Sequence, residues 1–215
     1  MKFLVIHAHE NQNSFCSAIA SQTQSILSEL GHKVSISDLY KMNFNPVGSK
    51  ADFDELSDND YYKYAMEQLH ASKNNAFSIA LSNEMEKLVE ADVLIFNFPL
   101  WWFGMPAILK GWVDRVMAYG VAYGGDYGFR SEGRFAGKQA MLSVTTGSPE
   151  SFYHADGMHG RSIDSILQNM HEGILQLVGY TTLSPFVSYA VSRATEEDRL
   201  SILESHSLHL KKLFS

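Results

Sequence analysis

The sequence holds a single cysteine, Cys16, in 215 residues. No intrachain disulfide can staple it, and a reducing compartment suits it. Its five prolines are scattered, and no Pro-, Gly- or Ser-rich tract, repeat or low-complexity segment marks a linker or an array. Charge is sparse, at 19% Asp, Glu, Lys and Arg against about 25% in ordinary globular domains. The net charge of −7 argues against a nucleic-acid binder, which needs a basic face. The longest apolar stretch, 93–109, is broken by Asn97, Pro99, Gly104 and Pro106, too short and too interrupted to span a bilayer. Met1–Lys2 runs straight into an apolar strand, which leaves no room for a secretory leader. The expectation is a cytoplasmic protein with no membrane span.

What is abundant is aromatic side chain, at 12%. Spare apolar surface of this kind is best used by a ligand pocket or a subunit interface. The densest example is "FNFPLWWFGMPAILKGWVDRV", residues 96–116. It sets Trp101, Trp102 and Phe103 in a turn, where a chain is normally polar.

The length suits one domain over 1–215. "KFLVIH" (2–7) is a short unalternating apolar run, a buried strand. A helix is expected from about Ser14 to Leu30, with Phe15, Ile19, Ile26 and Leu30 on one face. Ser14 or Asn13 caps it and Gly31 ends it. "KVSISDL" (33–39) is a second strand. Residues 40–80 read as a surface insertion with short helices, and the acidic 52–60 run together with Glu84, Glu86 and Glu90 as solvated face. A helix from Ser82 to Glu90 leads into a third strand, 91–98. Pro106 suits the first position of the next helix. Gly111 inside that helix costs about 1 kcal/mol, which close approach of a neighbouring backbone would explain. Strands at 138–146 and 181–191 flank a helix near 162–177. "TEED" (195–198) carries a capping-box pattern that opens a final helix.

Five strands alternating with helices imply an α/β fold, a doubly wound parallel sheet with helices on both faces. The flavodoxin-like order 2-1-3-4-5 is expected, with a ligand crevice at the carboxyl ends of strands 1, 3 and 4. Three loops would meet there: "HAHENQNSF", "PLWWFGM" and "TTGSPESFYHADGMHG". The first opens a helix whose free N–H groups suit a phosphate, though it is neither a dinucleotide glycine fingerprint nor a Walker loop. The second offers aromatic faces and amides. The third offers hydroxyls, the amides around Gly147, and Tyr153 and His159. Phosphate grip, aromatic floor and polar edge donors describe a flavin site. His7 and His9, two apart, find no Cys or carboxylate to complete a tetrahedral metal set.

Six segments in register, "IHAHENQNSF", "SDLYKMNFNP", "FPLWWFGMPAILKGWVDRV", "AYGVAY", "LSVTTG" and "SFYHADGMHG", make nearly the whole chain resemble the NAD(P)H:quinone oxidoreductase (DT-diaphorase-like) flavoproteins. The resemblance implies a flavodoxin-like fold, bound FAD, NAD(P)H as co-substrate, and a homodimer with the active site at the interface. It implies that His9, Asn13, Phe15 and Ala18 hold the pyrophosphate and adenosine side of FAD, with Asp114 and Arg199 near the adenosine. Pro99, Leu100, Trp101, Trp102 and Phe103 would line the ring, and Thr145, Thr146 and Gly147 its polar edge. Tyr153 and His159 would be the catalytic pair. Trp102 and Phe103 would wall the substrate slot, and Tyr123 would close it from the other subunit. Hydride would pass from NAD(P)H to the flavin and then to a quinone, in ping-pong order. Azo dyes and nitro compounds are close variants.

The sequence also departs from that family. Trp101 replaces a glutamine at the flavin edge, and Trp101 is open to a role as flavin contact or dimer contact. Ser148 replaces a second glycine, Gly125 a second slot tyrosine, and Arg193 a histidine near the slot. The chain ends at Ser215 without the C-terminal extension of the animal enzymes, so a bacterial-type member is expected. FMN in place of FAD stays open. The alternative function is non-catalytic: a flavodoxin-like electron carrier, or a flavin-bearing regulatory subunit of a membrane transporter.

Overall fold

A computed structural model describes residues 1–58 and 60–215. Among them, strands and helices alternate as β1 (Lys2–His7), α1 (Phe15–Glu29), β2 (Lys33–Asp38), α2 (Tyr64–Asn74), α3 (Ile79–Glu90), β3 (Val93–Pro99), α4 (Ala107–Val116), β4 (Gln139–Thr145), α5 (Ile163–Met170), β5 (Thr181–Thr182), β6 (Phe186–Ser188) and α6 (Glu196–Phe214). All pairings are parallel, in the order β2-β1-β3-β4-β5, with β6 also on β4. This is the flavodoxin-like order that the alternating pattern predicts.

The alternation of side chains along each strand divides the core in two. Phe3, Val5, Val93, Ile95 and Met141 face α1 and α6, meeting Ile26, Leu27, Leu210 and Phe214. Leu4, Ile6, Leu94, Phe96, Phe98, Leu142 and Val144 face the other way, toward Leu81, Met85 and Leu88 of α3, Leu109 and Trp112 of α4, and Leu167 and Met170 of α5. Both faces of the sheet are thus covered, which is why β1, β3 and β4 read as continuous apolar runs.

The single fifth strand expected over 181–191 is two short ones. Pro185 lies between β5 and β6 and brings no N–H to the ladder, so pairing with β4 lapses and resumes. The helix expected to run to 177 is α-helical only to Met170 and then passes through a π-turn, His171–Leu175. Pro106 is the N-cap of α4 rather than its first residue; its carbonyl accepts from the amides of Leu109 and Lys110. Thr195 and Asp198 close the capping box of α6 in both directions.

Two acidic residues expected in solvent are buried. Asp52 receives Nη2 of Arg115 at 2.6 Å and its Nε at 3.1 Å, together with the Tyr64 hydroxyl. Glu84 accepts from Trp112 Nε1 at 2.9 Å, from Ser37 Oγ at 3.0 Å and from Lys87. Every bond of both carboxylates is made inside the protein, the condition under which burial of charge is tolerated. Glu86 and Glu90 are exposed, as expected. The Asp52–Arg115 pair ties the 40–80 segment to α4, and Gly111 completes the joint. A Cβ on Gly111 would stand 2.2 Å from the Pro46 carbonyl oxygen, so the close approach of a backbone explains this helical glycine.

Candidate functional site

Each of the three loops is shaped by a local rule. After β1, Ser14 is the N-cap of α1, and its Oγ accepts the Ser17 amide at 3.1 Å. Asn11 Oδ1 accepts the Asn13 amide, a turn in which an Asn side chain stands in for backbone. His9 Nδ1 accepts the Asn11 amide at 3.1 Å, which leaves its Nε2–H free to donate. Partial burial pulls the His9 pKa below the ordinary histidine value, which favours the neutral ring with its one free donor. The amides of Phe15 and Cys16, in the first turn of α1, have no partner among the described residues.

After β3, the Leu100 amide donates to Thr145 O at 2.8 Å, and Trp101 and Gly104 exchange both backbone bonds at 3.1 and 3.0 Å. Between them Trp102 and Phe103 take φ of +49° and +60°. This is the primed two-residue turn that ordinarily calls for Asn-Gly. Two bulky residues in the left-handed region cost of order 1–2 kcal/mol each. Trp102 is 96% exposed, so no packing of its own offsets that cost. The turn points the amides of Trp102 and Phe103 away from any internal acceptor among the described residues. Strain of this kind persists where function requires it.

After β4, Thr145 and Thr146 are buried; the Thr146 amide donates to Ser188 O at 2.9 Å and its hydroxyl to Ser148 O at 2.8 Å. Gly147 follows, and a Cβ there would meet only Ser192 Oγ, at 3.9 Å. Its missing side chain leaves room beside the threonines. Tyr153 is buried, and its ring centroid is 6.4 Å from that of His159. His159 lies closer to Phe103, at 4.0 Å with a 54° tilt, so the third loop packs against the second. His159 Nδ1 is buried with no partner among the described residues.

These loops meet along one cleft of about 1040 Å³. His9, Asn13, Phe15, Ala18, Pro99, Leu100, Trp101, Trp102, Phe103, Thr145, Thr146, Gly147, Tyr153 and Arg199 all line it. Trp101 also comes within 6.4 Å of the His9 ring, centroid to centroid, which joins the aromatic turn after β3 to the loop after β1. His159 stands behind Phe103 and Tyr153 rather than on the wall itself. Asp114 and Tyr123 are elsewhere. They line a separate hollow of about 200 Å³ with Met117, Ile174 and Leu177, and Asp114 pairs with Lys110 at 2.6 Å. His7 turns inward, bonded at both ring nitrogens, to Ser17 and Asn97.

Sequence reasoning missed the fourth side of the cleft. Val191, Ser192 and Leu203 also line it, and the Tyr189 ring packs at a 40° tilt against Tyr153, 5.9 Å between centroids. Burial pushes the Tyr189 phenol up to about 12, so it remains a proton donor. The signal was available: residues 189–192 follow β6, at the same carboxyl edge of the sheet as the other loops.

A family model described as "Flavodoxin-like fold" matches residues 1–212. The chain is 37% identical over 214 residues to the ribosyldihydronicotinamide dehydrogenase [quinone] of Pongo abelii, covering 99% of this chain and 92% of that one. It is 37% identical over 213 residues to NAD(P)H dehydrogenase [quinone] 1 of Rattus norvegicus, covering 98% and 77%. A solved Klebsiella pneumoniae structure with a proposed quinone reductase activity superposes with a TM-score of 0.94 at 34% identity, over 100% of this chain and 85% of its own.

Proposed function

The chain belongs to the flavodoxin-like NAD(P)H quinone dehydrogenases, and from that membership we propose that it binds FAD along the cleft and reduces quinones by two electrons in ping-pong order. It is an oxidoreductase. The observation that carries the finer reading is the continuity of the cleft. One wall runs from the strained Trp102–Phe103 turn, past Thr145–Gly147, to Phe15 and Cys16 in the first turn of α1 and to Arg199.

The residues present fit a flavin. Two free turn amides, the space left by Gly147 and an unpartnered buried His159 Nδ1 suit a flat ring with polar edges. When bound, the flavin supplies hydride chemistry, taken up from NAD(P)H and passed to the quinone. The chain supplies the rest. Pro99–Phe103 bind the ring by contact and by backbone donors. Phe103 and Trp102 present apolar surface for a stacked substrate and exclude water from it. Tyr153 lines the cleft, where its hydroxyl could hold a proton beside negative charge, and His159, packed behind Phe103 and Tyr153, would act with it, each charge-assisted bond contributing roughly 1.5–3 kcal/mol. His9, Asn13 and the first turn of α1 hold the phosphates. Reach toward Arg199 and Leu203 of α6 favours FAD over the shorter FMN.

A homodimer that completes the slot is part of the same proposal. The exposed Trp102, Phe103, Phe129 and Met158 support it, as does the placement of Tyr123 outside this chain's own cleft. A cytoplasmic location is supported by the single buried thiol, Cys16.

The test begins by denaturing the purified protein and weighing the released flavin. Anaerobic titration with NADH and NADPH, followed by a quinone, then measures turnover. FAD, complete bleaching and catalytic quinone reduction are expected. A protein that takes up neither FAD nor FMN would overturn the site, and a reducible flavin without quinone turnover would leave an electron carrier.

A further inference from the structure

Beneath the phosphate end of the cleft lies a set of buried side chains that the proposed reaction does not use. It joins β1, β3, β4 and α1 through His7, Asn97, Ser143 and Ser17. The direction of its bonds can be worked out atom by atom. Asn97 Nδ2 is 3.0 Å from the Cys16 carbonyl. A carbonyl only accepts, so the amide orientation is set, and Ser143 Oγ donates to Asn97 Oδ1 at 3.0 Å. The same NH₂ group meets His7 Nδ1 at 2.9 Å, so Nδ1 must accept and the ring proton sits on Nε2. Nε2–H then donates to Ser17 Oγ at 3.0 Å. Ser17 Oγ passes its own proton to the Asn11 carbonyl at 2.9 Å and takes one from Ser14 Oγ at 2.9 Å. Ser14 is the N-cap of α1, and Asn11 shapes the loop before it.

We propose that His7 is a positioning residue for the flavin's phosphates: its neutral Nε2–H, acting through Ser17, holds Ser14, Asn11 and the first turn of α1 in the shape that receives them. The proposal rests on the reading of the cleft as a flavin site. It separates the two ends of that site: the His7–Ser17–Ser14 branch runs only to the start of α1, and the set approaches Thr145 solely through Cys16 Sγ, which His7 does not touch.

Protonated His7 would set Nδ1–H against the Asn97 NH₂ group, and reversing the amide would set its oxygen against the Cys16 carbonyl. The set therefore excludes the charged ring, in line with the lowering of the His7 pKa by burial. The titratable groups around it are Asp38 from β2, which favours the charged ring, His9 from the loop after β1, which opposes it, and Cys16 from α1. Burial pushes the Cys16 thiol up to about 12, so it stays uncharged.

The experiment compares dissociation constants of FAD and of riboflavin, which lacks phosphate, in wild type and three variants. His7→Leu removes the relay. Ser17→Ala breaks it while keeping His7, and serves if His7→Leu does not fold. His7→Gln offers an amide donor at the reach of Nε2. FAD is expected to bind about tenfold more weakly to His7→Leu and Ser17→Ala, the loss of one bond with its partner left unsatisfied. Riboflavin binding is expected to hold, and His7→Gln to restore most of the FAD affinity. Wild-type FAD affinity, taken as a ratio to riboflavin, is expected to fall in acid below the ordinary histidine range, and that fall to flatten in His7→Gln, where His9 still titrates. Equal weakening of both ligands, or unchanged FAD affinity, would overturn the proposal. Failure of the wild type to bind FAD at all would instead overturn the reading of the cleft.

Discussion

Arg115→Met removes the guanidinium from a carboxylate that has no access to solvent. Asp52 is fully buried, and Arg115 meets it through two parallel bonds, at 2.6 and 3.1 Å. The fork is the strong geometry for such a pair. Without it, Asp52 keeps only the Tyr64 hydroxyl, and the Asn45 carbonyl loses the Nη1–H that it accepts. Breaking a buried pair from one side costs about 3–5 kcal/mol. The methionine preserves much of the stem packing over Phe44, whose ring lies 5.1 Å from the guanidinium carbon, so the electrostatic part dominates. Replacing both partners, as in Asp52→Leu with Arg115→Met, removes the uncompensated charge and is expected to recover most of the loss, since apolar substitutes for buried pairs are often neutral. Urea unfolding of the two single variants and the double variant closes the cycle. A loss below about 1 kcal/mol for Arg115→Met, or a double variant equal to the sum of the singles, would show that this pair behaves as a solvated one and would refute the reasoning.

Two further outcomes follow from other places in the fold. His206 is buried between α1 and α6, with Nδ1 donating to Gln22 at 2.6 Å, and burial lowers its pKa to about 4. The unfolded chain takes up a proton below about 6.5 while the folded chain does not, so stability falls as pH drops from 6.5 toward 4. That one group would account for about 3 kcal/mol, and urea unfolding of His206→Gln should show a correspondingly flatter acid limb; an unchanged slope would remove His206 as the cause. Trp102→Asn places an Asn in the left-handed position of a primed turn, where it is at ease. Because Trp102 packs on almost nothing, the flavin-free variant is expected to gain about 1 kcal/mol while quinone KM rises; a loss of stability would mean that the turn is not strained.

The sheet order and the three loops could be read from the sequence because both are local signals. Short apolar runs between amphipathic stretches mark buried parallel strands, and the carboxyl-edge rule then gathers the loops without any distance being known. What stayed hidden depended on partners far along the chain. Asp52 sits in a run of acids that looks solvated, and its counter-ion lies 63 residues away. Glu84 looks like the outer face of a helix until Trp112 and Ser37 are found against it. His7 invites comparison with its sequence neighbour His9, yet its bonds go to Ser17 and Asn97, the latter 90 residues on. Pro185 was a visible local warning that the last strand would break.

The aromatic turn is legible in one respect and illegible in another. Trp-Trp-Phe between two prolines announces that something apolar is presented there, since nothing in turn chemistry favours those residues. The backbone they adopt could not be read, because the propensity for φ above zero belongs to Gly and Asn. The surroundings impose it. Leu100 is tied to Thr145 O, Trp101 and Gly104 are locked by a reciprocal pair, and Pro106 starts α4 immediately afterwards. With both flanks held, the two residues between them have no relaxed way to reverse the chain. The strain keeps two amides turned outward and sets Phe103 against His159. A relaxed Asn-Gly turn would reverse the chain equally well and would offer the same amides, but no aromatic wall. Sequence rules for turns therefore fail here, at two residues that line the cleft and gain nothing from the turn they form.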